Sequence, residues 1–131
     1  MILLWCSTSS KIVVVNVYSF CIWEEKQQLS NNLSSLRQAH ICKSWCIISD
    51  FNAIRSFNER ECINNYERQK REFGGFNDFI DKNILLDVPL VGIKFTWYRS
   101  NGKVNSRLDK ELVTHEWIDL WSASKQYILT R

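Results

Sequence analysis

The chain has 131 residues, 45% of them hydrophobic, with six Trp, seven Phe and a formal charge of +3. That length suits one domain rather than two, and the composition excludes a disordered chain. The mild positive charge permits an anionic partner without requiring nucleic acid.

Met1-Ile2-Leu3-Leu4-Trp5 is a short apolar start with no basic region before it and no small-residue cleavage pattern after it, too short for a secretion signal. No apolar run approaches the roughly 20 residues needed to span a bilayer. The expected setting is therefore intracellular, nuclear or cytoplasmic, with no membrane partner. Lys11 to Tyr18 (KIVVVNVY) is dense in β-branched residues and predicts a buried strand. Glu24 to Ile41 carries Leu29, Leu33 and Leu36 at helical spacing, the stripe of an amphipathic helix. Trp45 to Ser49 predicts a second short strand. A helix joining two strands is the mark of a layered α/β sheet.

His40, Cys42 and Cys46 invite a zinc reading, but a structural site wants four ligands and Cys46 sits inside a strand-like run. Buried free thiols are the expectation. Five cysteines at irregular spacing also argue against a disulfide framework. Residues 53 to 70 alternate charges without a period and predict a solvated loop. Arg71 to Asn83 spaces Phe73, Phe76 and Ile80 as a second amphipathic helix, with Gly74-Gly75 weakening its first turn. Lys94 to Arg99 and Ser106 to Thr114 predict two strands around Ser100-Asn101-Gly102-Lys103, an Asn-Gly hairpin signal. The expected fold class is α/β (α+β), a mixed and mostly antiparallel sheet with helices on its outer face.

Three ordered signatures carry the chemistry: Ser49-Asp50-Phe51-Asn52, Phe95-Thr96-Trp97 and Ser106-Arg107-Leu108-Asp109. Asp50 and Asn52 stand two apart after a strand, so in an extended chain both address one side while Phe51 anchors in the core. An acid can hold or deprotonate a water, and an amide can donate to a phosphate oxygen. The plainer alternative is a turn, since Asp and Asn favour turns.

From Trp45 to Trp117 the chain resembles the endonuclease/exonuclease/phosphatase superfamily, the DNase I-like fold, and more narrowly the endonuclease domain of plant non-LTR (LINE-type) retrotransposons. The residues that carry this are Ser49 to Ser56, Glu59-Arg60, Phe76 with Phe79-Ile80, Leu86 to Gly92, Lys94 to Tyr98, Ser106 to Asp109 and His115-Glu116-Trp117, with Asn16-Val17-Tyr18-Ser19 on the earlier strand. The match covers about residues 11 to 120, as a single incomplete domain over 1–131 and part of a four-layer sandwich. The resemblance implies that Asp50 activates the attacking water and Asn52 orients the phosphate. It places Tyr18 near the phosphate with Asn16 beside it, and has Asp109 accept from a histidine and fix its tautomer. It implies that Trp97 packs below the site, and that Arg107 braces the sheet or the substrate backbone, with Arg55 also on the substrate side. The implied cofactor is Mg²⁺ (or Mn²⁺), with Asp50 reaching it through water and no complete ligand set in this chain. DNA is the implied partner, with a fused reverse transcriptase in a full-length element.

The sequence also departs from the family. Ser49 stands where the family has Gly, a difficulty if the backbone there needs positive φ. Phe20 replaces the Pro of the family's Asn-x-Tyr-x-Pro pattern. The family's metal-binding Glu lies on a strand well before Asn16, and its closing Ser-Asp-His motif lies beyond Asp109; His115 is expected to face away. The resulting expectation is a fragment of a Mg²⁺-dependent DNA endonuclease with little or no activity. Two alternatives stand beside it. One is a non-catalytic nucleic-acid binder using Arg55, Arg60, Arg68, Lys70 and Arg71, which the interleaved Glu residues weaken. The other is a small-molecule or lipid phosphatase of the same superfamily.

Overall fold

Ten strands and three α-helices make up the described part of the chain. The computed structural model describes residues 2–7, 12–18, 22–40, 43–61, 66–99 and 104–128. Strand β1 (Ile2–Ser7) pairs antiparallel with β2 (Ile12–Tyr18), which is followed by helix α1 (Trp23–Ala39) and strand β3 (Ser44–Asp50). β2 and β3 run parallel, the crossover that the strand–helix–strand pattern predicts. The apolar opening of the sequence is thus a sheet strand, a role its composition alone did not reveal.

A single 3₁₀ turn at Phe57–Glu59 leads into β4 (Arg60–Glu61), and helix α2 spans Tyr66–Lys82. The helix begins before the expected Arg71, so Gly74 and Gly75 lie in its middle rather than its first turn. Gly75 has a packing role: a Cβ there would sit 2.7 Å from the Trp23 ring, so its lack of a side chain lets α1 and α2 approach. Helix α2 ends with Leu85 N–H on the Ile80 carbonyl and Ile84 N–H on the Asp81 carbonyl, and Ile84 is held at φ 53°. This is a Schellman-type C-cap with a β-branched residue where Gly is usual.

Six strands remain. They are β5 (Leu86–Asp87), β6 (Leu90–Val91), β7 (Trp97–Tyr98), β8 (Asn105–Ser106), β9 (Asp109–Val113) and β10 (Gln126–Tyr127), with helix α3 (His115–Leu120) before the last. The main sheet has the order β1-β2-β3-β9-β5, and three of its four pairings are antiparallel. β7 and β8 pair antiparallel as the hairpin signal predicts, while the turn residues 100–103 lie outside the described residues. The expected strand from Ser106 to Thr114 is broken in two. The Thr96 hydroxyl accepts the N–H groups of Leu108 (2.9 Å) and Asp109 (3.1 Å) at the break, where the chain passes from the small sheet β4-β8-β7 to the main one.

Period-2 alternation assigns the two faces of the main sheet. Val13, Val15, Val17, Trp45, Ile47 and Leu112 point to one face and pack with Leu33 of α1 and Phe76, Phe79 and Ile80 of α2. On the other face α3 covers one end, where Trp117 and Ile118 pack on Cys46 and Val113. Among the described residues the rest of that face is open: Tyr18 is 60% exposed and Ile48 46%. Among the described residues, no helix is long and apolar enough to cross a membrane.

Candidate active site

Three side chains meet across the sheet. Tyr18 pairs with Asp50 across β2 and β3, and Asp50 pairs with Asp109 across β3 and β9. Directly opposed residues share a face with Cβ atoms about 5 Å apart, so Tyr18, Asp50 and Asp109 form a row at one end of the open face. The next row on that face is Asn16, Ile48 and Glu111. Asn16 and Tyr18, two apart on one strand, therefore address the same side.

Asp50 stands close enough to Asp109 to act on it. Burial is the main force raising the Asp109 carboxyl above the usual 3.8; the Thr96 hydroxyl opposes it, the Asp50 charge adds to it, and Lys110 opposes it again. None of the described residues forms an ion pair with either acid.

The loop after β3 is built as a turn and as a presentation of Asn52 together. Phe51 is buried against the Phe76 ring at 5.0 Å, and its N–H donates to the Leu108 carbonyl at 3.0 Å. Asn52 adopts φ 47°, a left-handed conformation that Asn tolerates better than most residues. Its N–H donates to the Asp50 carboxylate at 2.9 Å, and the Lys26 ammonium of α1 donates to its carbonyl. The turn reading of Asp-Phe-Asn is the one the backbone adopts: it is an Asx-type turn, and the positive φ at Asn52 replaces the extended geometry expected for the Asp50–Asn52 pair. The Ser49 concern is resolved by geometry. Positive φ falls at Asn52 and not at Ser49, whose hydroxyl donates to the Val17 carbonyl from a buried position.

The remaining expected residues lie elsewhere. Trp97 is 43% exposed on β7 and does not pack beneath the row, because its two-residue strand belongs to the small sheet. Arg107 is enclosed by acceptors: Asp87 (2.9 and 3.2 Å), Glu59 (3.1 Å), the Val88 carbonyl (3.0 Å) and Gln126 (3.4 Å). These contacts tie it into the framework around Glu59, Asp87 and Val88. Arg55 joins the same network through Asp87 at 3.5 Å and Asn77 at 2.8 Å, turned to internal partners rather than to the open face. His115 is exposed at the start of α3.

Two supporting residues were not singled out by sequence reasoning: Lys26 and above all Lys110, whose ammonium lies 2.9 Å from Glu59. One signal was available. Alternation along β9 puts Lys110 on the face opposite Asp109, in the core, and a charge at a core position needs a partner. The zinc reading gains no geometry. Cys42 lies outside the described residues, His40 tilts against the Trp45 ring, and Cys46 is buried with its thiol 3.6 Å from Glu111. Burial, then the Glu111 charge, push that thiol far above its ordinary range. Of the basic residues weighed for a binding surface, Arg71 lies over the Trp23 ring and Arg60 donates to Ser106 at 2.9 Å; the Arg68 side chain lies outside the described residues.

No protein-family model matches this chain, and no curated protein matches it. Solved structures do match. The 3′-5′ exonuclease NExo from Neisseria meningitidis aligns with a TM-score of 0.60 at 22% identity, over 80% of this chain and 49% of that one. The endonuclease domain of TRAS1, a telomere-specific non-LTR retrotransposon, aligns with a TM-score of 0.57 at 16% identity, over 83% and 47%. An endonuclease/exonuclease/phosphatase family protein from Bacteroides thetaiotaomicron aligns with a TM-score of 0.53 at 13% identity, over 79% and 35%. The chain spans about half the length of the first two and about a third of the last.

Proposed function

We propose, from the DNase I-like fold that this chain carries, that it is part of a divalent-metal-dependent phosphodiesterase acting on DNA, of the retrotransposon-endonuclease type. The observation that carries the reading is the Tyr18–Asp50–Asp109 row across three adjacent strands. The motif wording from Leu86 to Gly92 and Lys94 to Tyr98 favours the retroelement branch over a lipid or small-molecule phosphatase.

The donor set suits Mg²⁺ or Mn²⁺. Asp50 and Asp109 are hard oxygen donors side by side; burial raises the Asp109 carboxyl, the Asp50 charge adds to it, and a cation there would oppose both. Asp50 is the residue to hold it, directly or through water. When bound there, the ion neutralises phosphate charge and that of the developing transition state. The chain's own residues do the rest. Asp50 takes the proton of the attacking water, with its carboxylate oriented by the Asn52 N–H. Asn52 and Tyr18 donate to phosphate oxygens, and Asn16 extends that edge along β2. Asp109 orients a proton-carrying partner brought to the row.

His115 sits on α3 rather than in this row and does not supply the histidine that Asp109 would orient, so the described residues nick slowly at most. The test is supercoiled plasmid with the purified chain and Mg²⁺. Slow conversion to nicked circles is expected, lost on chelation and lost in Asp50→Ala. Nicking that persists in Asp50→Ala removes the row from the reaction.

A further inference from the structure

Asp109 and Lys110 are neighbours on β9 that face opposite ways. Asp109 belongs to the open row, while the Lys110 side chain is 0% exposed on the helix-covered face. An ammonium has three N–H donors, and three acceptors surround this one: Glu59 Oε2 at 2.9 Å, the Arg107 carbonyl at 2.6 Å and the Ala53 carbonyl at 3.4 Å. The Phe76 ring lies 5.8 Å away. A buried ammonium is costly and a leucine would fill the same apolar space more cheaply, so what the charge adds is its hold on those acceptors. Two of them flank the acids. Ala53 follows Asn52 directly, and Arg107 precedes Asp109 by two residues. The Phe51 N–H to Leu108 carbonyl bond joins the same two segments.

We propose that Lys110 is a positioning residue of the site. Its ammonium clamps the Ala53 and Arg107 carbonyls from below, and so holds the end of β3 with Asp50 and Asn52 in one frame with the start of β9 and Asp109. Glu59 secures the clamp, since its carboxylate binds Lys110 and Arg107 and also accepts the Arg55 N–H at 2.7 Å.

This role rests on reading the row as the active site, and it can be tested apart from that reading. In Lys110→Met of the full chain, amide hydrogen exchange at Phe51, Asn52 and Asp109 is expected to accelerate about tenfold relative to β2 amides such as Val13 and Val15. Lys110→Arg, which keeps the donors, is expected to restore most of the protection. Exchange that is unchanged, or that rises equally in both regions, overturns the proposal. Should Lys110→Met unfold, the double variant with Glu59→Gln removes both charges and is expected to fold with the same local loss; a double variant that also unfolds assigns Lys110 to overall stability and overturns the proposal. In plasmid nicking with Mg²⁺, Lys110→Met is expected to lower the maximal rate about 100-fold while the half-saturating DNA concentration stays the same. A wild-type chain that nicks nothing counts against the function alone, and the exchange result still decides Lys110.

Discussion

β9 begins between two polar clusters that could hardly be more different. On its open face Asp50 and Asp109 stand side by side without a cation among the described residues. On its covered face Glu59 and Asp87 are matched to Lys110, Arg107 and Arg55. The covered cluster spends its charges on one another and on backbone carbonyls, which makes it a frame. The open cluster has no cationic partner among the described residues, and the proposed chemistry rests on that arrangement. One strand can serve both because successive residues point to opposite faces.

The largest effect should come from breaking the frame. Arg107→Ala leaves Asp87 and Glu59 partly unpaired in a setting where Arg107 is only 13% exposed. A loss of about 3–5 kcal/mol in urea unfolding is expected; a loss within the scatter of surface substitutions would show that the network is decorative. Asp50→Asn should do the reverse. Nicking is expected to fall about 100-fold, or about 2.7 kcal/mol, while unfolding stability moves by no more than about 0.5 kcal/mol. Equal damage to stability and rate would erase the distinction between the two clusters.

A change remote from both serves as the control. Ile84 is 63% exposed and sits at φ 53° after α2. Ile84→Gly should raise stability by about 1 kcal/mol by relieving the left-handed strain, with no change in nicking rate. The smallest effect concerns pH. The folded-state carboxyl of Asp109 lies above 3.8, so its protonated form is favoured on folding and its ionised form is not. That contribution is fully present below 3.8 and is lost as pH rises through the folded-state value. Asp109→Asn is therefore expected to melt higher than wild type at pH 7, with the gap closing as pH falls toward 3.8. Glu111 shifts in the same direction through burial, and it is common to both proteins. A gap that widens in acid would reverse the assignment of burial as the leading cause.

Much of this was written into local patterns. The β-branched run of β2, the Leu29–Leu33–Leu36 stripe of α1 and the Phe76–Ile80 spacing of α2 specify strand and helix because burial of one face follows their periods. The motifs named Asp50, Asn52, Tyr18 and Asp109 as the residues to examine. The length of α2 was misjudged because charged residues hide a helix whose apolar face is short, and Trp97, which the resemblance set below the site, is 43% exposed on a strand of another sheet.

What the sequence by itself determined is which residues alternate and which stripe together, since 3.6- and 2-residue periods act over a few positions. Only the tertiary structure decided that β3 pairs with β9, and thus that Asp50 stands opposite Asp109 while Lys110 meets Glu59 below. Strand partnership and the pairing of buried charges are set by contacts between segments far apart in the chain, where register rather than local pattern chooses the neighbour.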